Sequence, residues 1–78
     1  MNESVNLSNL TVIYNSIVKQ LVENRNQSKC TQDTVANWLN VSRKKLIEFE
    51  NLKRLDIELL CKYSDIYGID LNLKFTIT

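Results

Sequence analysis

Behind a break in the apolar spacing of TQDTVANWLNVSRKKLIEFE (residues 31–50) stand three consecutive cations, Arg43, Lys44 and Lys45. What such groups do best at neutral pH is hold anions, phosphate and carboxylate above all. Lys29, Lys53 and Arg54 widen the basic region, and from Lys29 to Arg54 only Asp33, Glu48 and Glu50 oppose them. Six cations against three anions give that third of the chain a local +3; the whole chain carries +1, so the remainder carries −2. Near-neutrality with segregated charge points to one basic face rather than a global field.

Other chemistries lack their residues. The chain has no histidine, and its two cysteines, Cys30 and Cys61, are far apart and form no CxxC pair. A zinc site therefore lacks ligands, and the thiols read as free and buried in a reducing cytoplasm. No glycine-rich loop is present to cradle a phosphate, since Gly68 is the single glycine. Neither enzyme activity nor a cofactor is expected. No apolar run approaches the ~20 residues of a membrane span, and the N-terminus, with Glu3, lacks a basic leader segment. The expectation is a soluble cytoplasmic protein with no membrane partner.

Seventy-eight residues make one domain, 1–78, with a thin stability margin that a second subunit would widen. The absence of proline favours helices joined by short turns. Residues 1–7 read as loose, with a weak strand option at Val5–Leu7. A first helix is expected from Ser8 or Asn9 to about Asn26, with Leu10, Ile13, Tyr14, Ile17, Val18 and Leu21 inward. A second helix follows Thr31 as N-cap, buries Val35, Ala36 and Leu39, and ends at Asn40, a residue that tolerates the left-handed conformation. Ser42 then caps a third helix from Arg43 to about Asn51 that buries Leu46 and Phe49. Asp56 caps a fourth from Ile57 to Tyr67, closed by Gly68. The helical body is thus 8–67. Beyond it, residues 70–78 alternate, with Leu71, Leu73, Phe75 and Ile77 on one face, as a strand does.

The break at Asn40 has a demanding pattern around it. Counting Gln32 as the first position, apolar residues stand at positions 4, 8, 10, 15 and 18 (Val35, Leu39, Val41, Leu46 and Phe49). Alanine (Ala36) stands at position 5, where two helices cross closely, and Asn40 at position 9, where positive φ is needed. This is the pattern of a helix-turn-helix.

With these residues in register, the chain from about Leu21 to Leu71 resembles the Cro/phage-repressor (XRE) family of DNA-binding domains. TQDTVANWLNVSRKKLIEFE carries the Thr-Gln, Ala, Val-Ser and final Glu of that family, and LLCKYSDIYGIDL resembles its fourth helix and the Gly-Ile that follows. The chain departs from the family at Asn40 and Leu52, where glycine is usual, and at Lys29-Cys30 before Thr-Gln; these positions concern turns. The resemblance implies a mainly α, four-helix lambda-repressor-like helix-turn-helix domain whose third helix enters the major groove. It places Arg43, Lys44 and Glu48 at base-reading positions, where Arg or Lys bonds guanine and Glu accepts from cytosine. Gln32, Ser42, Lys45, Asn51, Lys53 and Arg54 fall to the DNA backbone, and Arg25 and Glu50 to a structural ion pair. Trp38 reads either as half-buried against a neighbouring helix or as a contact for a second protein.

A single strand leaves its backbone groups and apolar face without partners. Pairing with the same strand of a second copy is the economical solution, so Leu71, Leu73, Phe75 and Ile77 are the expected dimerisation residues; a strand folded onto its own domain is the alternative. The stretch YGIDLNLKF is similar to the C-terminal strand of HipB-type antitoxins, which pairs across a dimer. The reading is a small homodimeric transcriptional regulator, a repressor, whose partners are double-stranded DNA and itself. The second reading is an antitoxin that binds a toxin protein and autoregulates its operon.

Overall fold

Nothing in the first sixty-seven residues breaks a helix outright, because they contain neither proline nor glycine. The computed structural model describes the backbone of residues 3–71 and the side chains of residues 9–71. Within them lie four helices: α1 (Glu3–Gln27), α2 (Gln32–Leu39), α3 (Arg43–Glu50) and α4 (Ile57–Ile66). No strand occurs among the described residues.

The interior helix starts follow local chemistry. Thr31, Ser42 and Asp56 sit in extended backbone, and their side-chain oxygens accept from the N–H of Thr34, Lys45 and Leu59, respectively. Each bond satisfies an N–H that the first helical turn leaves open. The start of α1 differs from expectation: Ser8 and Asn9 lie inside the helix, which begins at Glu3, and no strand forms at residues 5–7. Asn and Ser disfavour a helix interior only weakly, so an established helix propagates through them until something stops it.

All four helices close by one device. Lys29, Asn40, Leu52 and Gly68 adopt left-handed backbone, with φ of 60°, 57°, 62° and 67°. The N–H after each bonds back to a carbonyl five residues earlier: Cys30 to Arg25 (3.1 Å), Val41 to Ala36 (3.0 Å), Lys53 to Glu48 (2.8 Å) and Ile69 to Ser64 (3.0 Å). This is the Schellman closure, which usually recruits glycine and an apolar residue after it. Three ends obey the second preference, since Cys30, Val41 and Ile69 pack against the core. The end of α3 does not: exposed Lys53 follows, and a leucine occupies the left-handed position.

α2 packs on α3 and α4, and α1 lies across α3 and α4. The shared core consists of Tyr14, Ile17, Val18 and Leu21 from α1, Val35, Ala36 and Leu39 from α2, Leu46 and Phe49 from α3, and Leu59, Leu60 and Tyr63 from α4. Tyr14, Phe49, Tyr63 and Tyr67 form an aromatic chain through it, with ring centroids 6.0–6.3 Å apart. Leu10, expected inside, is exposed, and Ile13 is half-buried. Both cysteines are free, but Cys61 is exposed and Cys30 only partly buried; on α4 the core takes Leu59, Leu60 and Tyr63, and Cys61 turns past it. Leu71 packs half-buried against its own domain's core. Leu73, Phe75 and Ile77, the remainder of the expected strand, lie outside the described residues.

Asn40 tests the turn between α2 and α3. A left-handed alanine costs about 1 kcal/mol or more, so Asn40→Ala should lower the melting temperature by about 4–8 °C. Asn40→Gly should leave it nearly unchanged. Thermal unfolding followed by circular dichroism reads both.

Candidate functional site

α3 divides its residues cleanly. Leu46 and Phe49 face inward and are fully buried. Arg43, Lys44, Ile47, Glu48 and Asn51 line a shallow outward concavity of about 420 Å³, completed by Lys53. Arg43, Ile47 and Asn51 stack at i, i+4 spacing, as do Lys44 and Glu48. Five residues assigned to the site from the sequence therefore share one surface. Ile47, half-buried within it, was not foreseen; its spacing from Arg43 and Asn51 was the available signal.

The electrostatics refine the assignments. The Glu48 carboxylate accepts from Arg54 through Nη2 at 2.9 Å and Nε at 3.2 Å. Arg43 Nε lies 3.4 Å from Asp33 of α2. Both pairs are solvent-exposed, so each contributes about 0–1 kcal/mol and opens readily to a better partner. Lys45 turns elsewhere, its Nζ 3.4 Å from the carboxylate of Asp56 at the start of α4. Among the described residues no ion pair holds Lys44 or Lys53. Ser42 Oγ is occupied in capping α3, bonding the Lys45 N–H at 3.1 Å.

Beneath this surface lies a buried polar centre at the end of α3. Glu50 accepts from Arg25 Nε (2.8 Å) and Nη2 (2.9 Å), from Gln32 Nε2 (3.1 Å) and from the Tyr63 hydroxyl (2.6 Å). Arg25 also donates through Nη1 to the Cys30 carbonyl at 3.1 Å. The side chains of Arg25 and Glu50 are only 12% and 4% exposed. The pair expected from the sequence thus exists as part of a larger assembly that joins all four helices. Gln32, expected at the DNA backbone, spends one amide donor on Glu50. Bonding to Glu50 raises the Arg25 pKa, and burial, then the Glu50 hydrogen bond, pushes the Tyr63 phenol well above its usual range. The guanidinium is charged and the phenol neutral at any physiological pH.

A second anchor fixes the segment after α3. The Tyr14 hydroxyl accepts from the Asp56 N–H at 3.0 Å and donates to the Arg54 carbonyl at 3.4 Å. Arg54 is thereby held where its guanidinium reaches Glu48. Trp38 stands apart on α2, more than half exposed. No metal-holding group of three His, Cys, Asp or Glu residues occurs among the described residues, and no helix there is long and apolar enough to cross a membrane.

No family model, curated protein or solved structure matches this chain.

Removing Glu50 strands the Arg25 charge in a nearly dry site, so Glu50→Ala should destabilise the fold by about 3–5 kcal/mol, read from urea unfolding. Acid should weaken the α4 start. The Leu59 N–H first, then Lys45, holds the Asp56 pKa below its ordinary 3.8. That contribution is present above the unfolded-state value and disappears as pH falls through the lower folded value. Asp56→Asn should therefore show a shallower loss of stability than the native chain between pH 5 and pH 2.

Proposed function

We propose that this chain is a small homodimeric regulator that binds double-stranded DNA sequence-specifically, with α3 as the helix that enters the major groove. In this reading the fold is a lambda-repressor-like helix-turn-helix domain of the XRE type. One observation carries it: Arg43, Lys44 and Glu48 of α3, with Asn51 and Lys53 just beyond its end, share one outward surface, while Leu46 and Phe49 on the opposite side of the helix are fully buried. A helix so anchored presents its polar side as a rigid unit, as groove reading requires.

Arg43 and Lys44 donate toward guanine O6 and N7, and Glu48 accepts from cytosine N4. Arg54 leaves Glu48 for a backbone phosphate as the base edge arrives, a cheap exchange because the pair is exposed. Lys53 and Asn51 reach the adjacent phosphates, and the second amide proton of Gln32 remains available to another. A twofold dimer sets two copies of α3 about 34 Å apart on an inverted repeat, and repression follows from occupying a promoter. The exposed Trp38 favours a second reading, an antitoxin that also binds a toxin protein.

Selection of bound fragments from random or genomic DNA, followed by fluorescence anisotropy, tests the groove reading. Lys44→Ala should weaken operator binding by about 1–3 kcal/mol and relax the preference at one base pair. Lys53→Ala should weaken all sequences alike and reduce the salt slope by about 1. Substitutions at Arg43, Lys44 and Glu48 that left operator choice unchanged would exclude α3 as the reading element.

A further inference from the structure

Leu52 combines two unfavourable features. It holds left-handed backbone, φ 62°, where a Cβ is strained and glycine is not. Its side chain is also half exposed, so burial in its own core does not offset that strain. At the other three helix ends the apolar residue near the turn packs inward; here it stands outward between two grooves. One is lined by Leu10, Tyr14, Leu55 and Ile57, and the other by Val12 of α1.

Leu55 is 76%, Val12 65%, Ile57 56%, Leu52 48% and Leu10 39% exposed. At about 30 Å² per methyl or methylene, they present roughly 320 Å² of apolar surface around one centre. A standard interface buries about 800 Å² per partner, a little over half of it apolar. The patch supplies most of that share, and Thr11, Asn15 and Ser16 border it as a small polar rim.

Its charge decides the occupant. In the groove beside Leu55 the one charged side chain is Arg54, already tied to Glu48. The other groove has Lys19 and Glu23 at its border, opposite charges that balance, and Glu50, which is bonded to Arg25. The centre thus offers little to a partner of strong net charge, and it tolerates being set against itself. A twofold contact demands such self-compatibility. We propose that the apolar surface centred on Leu52, with Leu10, Val12, Leu55 and Ile57, is the seam on which a second copy of this chain docks. The seam begins two residues beyond α3, so a twofold axis there holds two α3 helices at a set spacing. This names an interface for the dimer proposed above and rests on that reading.

Sedimentation velocity of the full chain without DNA, across about 1–200 μM, tests it separately from groove reading. The native chain should dimerise with concentration. Leu55→Glu should raise the dimer dissociation constant about tenfold or more. Leu52→Gly should weaken the dimer likewise, while the melting temperature of the dilute monomer holds or rises, because left-handed strain is relieved. A native chain that stays monomeric throughout, a dimer unchanged by both substitutions, or a Leu52→Gly monomer that melts markedly lower would each overturn the seam. Anisotropy of the same variants with operator DNA reads α3 independently, so the seam can fail while groove binding stands.

Discussion

One carboxylate governs the pose of α3. Glu50 is its last residue, and it receives four hydrogen bonds from Arg25 of α1, Gln32 of α2 and Tyr63 of α4. A carboxylate this deeply buried is tolerated only when its lone pairs are filled by charged or strong donors. The demand works in both directions, because Arg25 is equally unable to lose its partner. The cheapest arrangement is the one in which all four helices converge, and that convergence sets the end of α3 to within hydrogen-bond tolerance. Leu46 and Phe49, fully buried, set its rotation about its own axis. Together these constraints leave the Arg43–Lys44–Glu48 face only one direction in which to point.

The polar groups outside follow the opposite rule. The pairs Arg54–Glu48 and Arg43–Asp33 are exposed and contribute little to stability, so either can open at low cost. A ligand can replace either without a large reorganisation. The buried assembly at Glu50 is rigid for the same physical reason that the surface is adaptable: the local dielectric decides whether a broken pair is costly or nearly free. A small domain thereby separates a fixed scaffold from an exchangeable face over the eight residues of one helix.

Its helix ends show how little glycine such a fold requires. Three of the four left-handed closures use Lys29, Asn40 and Leu52 in place of glycine. The backbone bonds they complete, and the apolar contacts of Cys30 and Val41, offset the strain at two of them. At Leu52 no apolar residue follows to pack inward, since Lys53 is exposed, and the leucine side chain itself stands half exposed.

The helix limits and caps were legible because they depend on residues one to five apart. Thr31, Ser42 and Asp56 cap where their side chains can reach a nearby N–H, and Asn40 and Gly68 turn where positive φ is tolerated. The core followed from apolar spacing, save at Leu10, which is exposed, and Ile13, which is only half-buried; the start of α1 did not follow, because the weak propensities of Ser8 and Asn9 did not end a helix that begins at Glu3. The Arg25–Glu50 pair was legible through family likeness, but its extension to Gln32 and Tyr63 was not. Nor were the turn of Lys45 toward Asp56, the Arg54–Glu48 pair, the exposure of Cys61 or the outward stance of Leu52. Long side chains choose partners by distance in space, and those distances exist only after the helices have packed at particular angles. Local hydrogen bonding and periodicity are written along the chain; the pairing of charges, and the surface left uncovered, are settled by the packing alone.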